Sequence, residues 1–136
     1  MILPPIHRPT DPKPRIPDAL RRDARSFYCR VCGDLYGVLS NEIFSVPRES
    51  LDHIFPRRWL IQFGFNPHVI VNLISVCGRC HAMKKRAENY LFRADALTYV
   101  SQLAVHRWPM ERVEVAAQYY GLVEIVEAIH RRLVLA

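Results

Sequence analysis

The sequence predicts an α+β chain, a short two-stranded sheet followed by a run of helices, with one more helix on the N-terminal side. Three observations lead there. Leu51 to Phe55 and Val69 to Val76 are apolar, β-branched segments of strand length, the first closed by Pro56. From Gly78 the pattern turns helical to about Arg93, and again over 95–107 before Pro109, over 110–119, and over 122–135 after Gly121. Upstream, Asp18 is placed to cap an Arg-rich helix reaching about Phe27.

The remaining segments are read from their breakers. Residues 1–17 hold six prolines, which bars a helix or a central strand and predicts an extended, basic arm, against the reading of a disordered tail. Cys29-Arg-Val-Cys32-Gly33 reads as a tight knuckle. Residues 35–50 lack a strong pattern and read as loop with room for a short strand. Residues 57–68, punctuated by Gly64, Asn66 and Pro67, read as irregular. No repeat is visible. The organisation expected is an arm (1–17), a core (18–94) and a helical C-terminal extension packed on it (95–136).

A chain of 136 residues suits one domain, and 50% hydrophobic residues allow only a modest core at this size, so a staple would help. No apolar run reaches the ~18 residues of a membrane span. Met1 to Pro5 lacks the charged and apolar regions of a secretory signal, so a cytoplasmic setting is expected. In a reducing cytosol, paired cysteines bind metal more often than they oxidise.

The formal net charge of +6 favours a polyanionic partner, nucleic acid first. Its distribution sharpens this. Residues 1–30 carry seven basic side chains against three acidic, and 79–93 carry Arg79, Lys84, Lys85, Arg86 and Arg93 against Glu88. The last helical pair, 110–119 and 122–135, could mimic a helix-turn-helix, but Glu124 and Glu127 on the second helix repel phosphate. Packing faces built from Val113, Val115, Leu122, Val126, Ile129 and Leu133, joined by Trp108 and Tyr119, are the better reading.

Cys29-x-x-Cys32 and Cys77-x-x-Cys80 have metal-ligand spacing, and they use every cysteine in the chain. Two intervening residues let both sulfurs reach one tetrahedral zinc at ~2.3 Å. Such pairs usually stand ~15–20 residues apart. Here 44 residues separate them, so zinc would fasten the two ends of an insert. The competing reading is free core thiols or a redox pair.

The insert carries Leu51-Asp52-His53-Ile54-Phe55-Pro56, and the second cysteine pair sits in Asn72-Leu73-Ile74-Ser75-Val76-Cys77-Gly78-Arg79-Cys80-His81-Ala82-Met83-Lys84. As a pattern this is CxxC, DHIxP, then NLxxxCxxCHxxK. From Cys29 to about Lys84 the chain resembles the HNH endonuclease family in its zinc-stapled form. The resemblance implies a ββα-metal core and a metal-dependent DNA endonuclease that hydrolyses phosphodiester bonds. It implies His53 as general base, Asn72 as the residue that braces the loop and orients the base, and Asp52 and His81 as ligands of a catalytic divalent cation. The chemistry suits these residue types. A neutral imidazole can take a proton from water, and a hard cation on oxygen and nitrogen ligands neutralises phosphate. Asp52 and His53, adjacent on a strand, point to opposite faces and cannot share one role.

Lys85 stands where some colicin-type relatives carry a third metal-binding histidine. That departure favours magnesium or manganese, with two protein ligands completed by water and phosphate oxygens. Arg57, Arg58, Lys84, Lys85 and Arg86 are the expected phosphate contacts, against the reading of a solvated basic face. His68, four residues before Asn72, reads as an ordinary loop histidine, against the reading of a further ligand or substrate contact. The expected partner is double-stranded DNA, in a bacterial cytosol or a phage-infected cell. Two other readings stand beside it: a non-catalytic, zinc-stabilised nucleic-acid-binding module, and a phage packaging nuclease active only with protein partners.

Overall fold

The computed structural model describes residues 15–37, 48–92 and 96–135. Most of the predicted arm, 1–14, and most of the segment between the knuckle and the first strand, 38–47, lie outside the described residues. The elements are α1 (Asp18–Ala24), β1 (Glu49–His53), α2 (Arg57–Gln62), a 3-10 turn (Ile70–Asn72), β2 (Leu73–Cys77), α3 (Gly78–Phe92), α4 (Ala96–Val105), α5 (Met110–Tyr119) and α6 (Val123–Leu135). The class is α+β: a two-stranded antiparallel sheet with six helices among the described residues.

In the sheet, Asp52 lies opposite Ile74, His53 opposite Leu73 and Glu49 opposite Cys77. All of β2 is buried, while only Asp52 of β1 is. That matches the apolar sequence of β2 and the mixed one of β1. Gly78 opens α3 directly after Cys77 closes β2, with no loop between them. One junction therefore fixes the end of a strand, the first turn of a helix, and the three residues Cys77, Cys80 and His81.

Three local expectations are corrected. Residues 57–62, read as irregular, form α2. Pro56 is pre-set at its N-cap position, Trp59 and Leu60 bury, and Phe63 packs edge-on against Trp59 at 5.3 Å. A hydrophobic anchor this large outweighs weak helix propensity over six residues. Asp18 does not cap α1. Pro17 holds that position with no side-chain bond, and the helix ends at Ala24, where Arg25 turns extended. The second strand starts later than Val69, because residues 70–72 wind into a 3-10 turn that carries Asn72 inward.

The core is one cluster running from Cys29 through Phe55, Trp59 and Leu60 to Tyr99, Trp108, Tyr120 and Ile129. Phe55 stacks on Trp59 at 5.9 Å and meets Tyr120 edge-on at 6.5 Å. The C-terminal helices are tied to the hairpin by hydrogen bonds as well as by packing. The Tyr99 hydroxyl donates to the Ile54 carbonyl, and the Arg112 guanidinium donates to the Leu73 carbonyl at 2.8 Å. Val113, Leu122 and Ile129 bury as expected, but Val115 and Tyr119 face solvent and Tyr120 takes the buried place. Gly121, in the left-handed region at φ 70, ends α5 so that the Leu122 amide reaches the Ala117 carbonyl. No helix among the described residues is long and apolar enough to cross a membrane.

Candidate functional site

The cysteine cluster forms where the knuckle meets the β2–α3 junction. The knuckle closes through Gly33, at φ 82, whose amide donates to the Cys29 carbonyl at 2.9 Å. The Arg30 amide donates to the Ser75 carbonyl at 3.0 Å, clamping the knuckle to β2. The ligand atoms of Cys29, Cys32, Cys77 and Cys80 all lie within 4.8 Å of one another. A tetrahedral site with ~2.3 Å zinc–sulfur bonds has sulfur–sulfur edges of ~3.8 Å. Cys32 Sγ and Cys77 Sγ are 3.8 Å apart. The amides of Val31 and Cys32 point at Cys29 Sγ, at 3.4 and 3.5 Å, as donors to a thiolate do. Burial pushes the Cys80 thiol up, and its sulfur neighbours push the same way. Four sulfurs this close cannot all ionise without a cation among them. The cluster therefore fits a structural metal such as zinc.

A second centre is linked to the same junction through His81, which follows Cys80 on α3. A cavity of about 450 Å³ is lined by Asp52 and His53 from β1, His81 from α3, His68 from the loop before β2, and the basic residues Arg21 and Arg57. His81 is oriented by Ser50, whose Oγ is 2.7 Å from its Nδ1. Ser50 and Asp52, two apart on β1, share the face that meets α3.

Asn72 is fully buried, and the hydrogen bonds of its side chain go to the backbone. Its Oδ1 accepts from the Phe55 amide at 2.8 Å, and its Nδ2 donates to the carbonyls of Phe55 and Pro67, both at 3.1 Å. It thus joins the turn after β1 to the loop that carries His68. The bracing of these two segments is direct.

His53 departs from its ordinary titration. Burial, and then the neighbouring His68, hold its pKa down at about 4, with Asp52 opposing. An unperturbed imidazole titrates near pH ~6.5. The ring is instead neutral across the physiological range, so its lone pair is available, at the cost of weaker basicity.

Lys84 is also displaced from its expected place. It was expected at a phosphate-contacting surface, yet it is 1% exposed. One helical turn beyond His81, it points back to β1, with its Nζ 3.2 Å from Asp52 Oδ2, 2.7 Å from Glu88 Oε1 and 5.8 Å from the Trp108 ring centre. Two carboxylates and an aromatic face satisfy the ammonium inside the protein, so it leaves no charge for a phosphate. Asp52 Oδ2 is buried and accepts no hydrogen bond, so Lys84 serves it as an ion-pair partner only. Among the other expected phosphate contacts, Arg57 lines the cavity and is half-buried, while Arg58, Lys85 and Arg86 are exposed.

His68 is the residue that sequence reasoning set aside. It is buried, and its Nδ1 is 3.0 Å from His53 Nε2. The one signal that could have found it was Asn66-Pro67-His68, an Asx turn and a proline ahead of the histidine, which makes a rigid loop rather than a loose one.

Compared with known protein families, with curated proteins and with solved structures, the chain matches none.

Proposed function

We propose that the protein is a metal-dependent endonuclease of the HNH type that hydrolyses DNA phosphodiester bonds. The observation that carries this reading is the meeting of Asp52, His53 and His81 in one cavity bordered by arginine. The sequence pattern nominated the same three residues for a single reaction.

In the reaction proposed, His53 accepts a proton from water as the water oxygen bonds to phosphorus. The bond from phosphorus to the 3′ oxygen breaks, and that oxygen leaves as a hydroxyl once protonated by solvent. Arg57 and Arg21 draw the phosphate into the cavity and offset its charge. A divalent cation held by Asp52 and His81 would supply positive charge to the phosphate and the leaving oxygen. The orphaned Asp52 Oδ2 fits a cation, but the Lys84 ammonium already offsets its charge. A metal there would therefore be held weakly, which suits magnesium or manganese. A metal on the four cysteines would be structural and would fix the junction from which His81 projects.

The Asp52–Lys84 pair also favours a second reading, a nucleic-acid-binding module that performs no chemistry because its metal-facing carboxylate is already neutralised. One experiment separates the two. Supercoiled plasmid is incubated with the purified protein, with magnesium, with manganese and with neither. Metal-dependent nicking that is lost in His53→Ala supports the nuclease. Plasmid retardation without cleavage under every condition supports the module.

A further inference from the structure

His68 belongs to no part of the motif, yet the fold secures it firmly. Its amide donates to Asn66 Oδ1 at 3.0 Å. The carbonyl of the preceding Pro67 accepts from Asn72, and the carbonyl of Asn66 accepts from the Tyr120 hydroxyl at 2.8 Å. A short loop is thus pinned by its own turn, by the 3-10 segment and by the end of α5. The side chain so placed is buried and faces His53: the rings are 5.1 Å apart between centres, and the two nitrogens that face each other are 3.0 Å apart.

Two imidazole nitrogens at that distance hold one proton between them. In one arrangement His53 Nε2–H donates to His68 Nδ1. In the other, His68 Nδ1–H donates to His53 Nε2. A neutral imidazole carries one N–H and one lone pair, so the choice fixes both rings. The first arrangement gives each ring its N–H on Nε2, the tautomer that free neutral histidine prefers. The second forces both rings into the less favoured form. The second also spends the only lone pair of His53 on His68, leaving none for water.

We propose that His68 is a positioning residue for the base: by accepting the His53 Nε2–H on its Nδ1, it fixes the tautomer in which His53 Nδ1 holds the lone pair that receives the proton from water. This rests on the nuclease reading. When His53 becomes an imidazolium, the same hydrogen bond becomes charge-assisted and strengthens. His68 therefore acts on turnover and not on DNA affinity.

The test has two arms. Long-range proton–nitrogen spectra of zinc-loaded protein with nitrogen-15-labelled histidine read the tautomers directly, and need neither cleavage nor a variant of His68. His53→Ala assigns the signals. A protonated Nε2 and a bare Nδ1 on His53 are expected, and the reverse overturns the proposal whether or not the protein cuts DNA. In the second arm, His68→Leu lowers kcat for plasmid cleavage by ~10–100-fold with KM unchanged, the usual range for loss of such a supporting bond. His68→Asn, which keeps an acceptor near the place of Nδ1, recovers most of the loss. Equal turnover in wild type and a folded His68→Leu protein overturns the role. So does a His68→Asn protein that melts like wild type but is as slow as His68→Leu. Wild-type protein that cleaves nothing, with the expected tautomer in its spectrum, sinks the nuclease reading and takes the role with it.

Discussion

Lys84 and Asp52 form an ion pair at 3.2 Å across the contact between α3 and β1, and both side chains are closed to solvent. Glu88 completes the group, 2.7 Å from the ammonium. Removing one partner of a buried pair strands the other charge, which commonly costs ~3–5 kcal/mol. Lys84→Met is therefore expected to lower unfolding stability in urea by that order. Adding Asp52→Asn to it should recover part of the loss, because the stranded carboxylate is gone. A Lys84→Met protein within 0.5 kcal/mol of wild type, on the order of an ordinary surface change, would show that the pair is solvated.

The cysteine cluster predicts one tightly held zinc per chain and thiols that react slowly until the metal is removed. Cys80→Ser should lose the metal and melt at a markedly lower temperature, since structural zinc contributes folding free energy directly. Elemental analysis and thiol titration check this together. Protein purified without chelator that carries no zinc, with four freely reactive thiols, rules it out.

Much of this was legible in the sequence because it is written in local spacing. The two CxxC pairs, the β-branched run ending at Cys77 and the helix opening at Gly78 are short-range signals, and the helices from 110 onward follow apolar periodicity. What escaped depends on contacts distant in the chain. α2 exists because Trp59 and Leu60 join a core shared with Tyr99, Trp108 and Tyr120. Lys84 is buried because a strand 32 positions earlier supplies Asp52. No pattern around His68 announces that a ring 15 residues upstream will face it. Tyr119 and Tyr120 are chemically alike, and only the orientation of α5 decides which one buries.

Asn72 should be among the least replaceable residues. Its side chain makes three hydrogen bonds to backbone groups of the Phe55 turn and of Pro67, all out of reach of water. Asn72→Ala leaves those groups unsatisfied, at ~1–3 kcal/mol each where solvent cannot enter. The expected loss in urea denaturation is ~3–5 kcal/mol, the low end of that sum, with the spectra of His53 and His68 perturbed as well. A stable variant with unchanged histidine signals would mean that Asn72 braces neither segment.

His53 gives the protein an acid-sensitive limb. Above pH ~6.5 the ring is neutral in both the folded and the unfolded chain and contributes nothing to pH dependence. As pH falls below that, the unfolded chain takes up a proton that the folded site refuses until about pH 4. Stability is lost through this window, by at most ~3 kcal/mol for the one residue. Urea unfolding of wild type and of His53→Ala at pH 7 and pH 4.5 isolates the effect, because the other titrating groups are common to both. The stability gap between the two proteins should shift against wild type on acidification. A constant gap would mean that the imidazole titrates normally.

The two adjacent residues Asp52 and His53 should fail in different ways if the nuclease reading holds. His53→Ala removes the group that accepts the proton and should cost ~10²–10⁴-fold in cleavage rate with little change in DNA binding. Nothing in the cavity replaces it from the same place: His68 stands behind it, on the Nε2 side of its ring. Asp52→Asn removes one charged ligand and should act through metal affinity. Raising magnesium or manganese should then restore part of the Asp52→Asn rate and none of the His53→Ala rate. Losing Asp52 also leaves Lys84 with only Glu88, so each rate must be read at a temperature where the variant is shown to be folded. With that control, a His53→Ala protein as active as wild type removes the imidazole from the chemistry. An Asp52→Asn protein whose metal dependence matches wild type assigns Asp52 to Lys84 alone, and the cation would have to be held elsewhere.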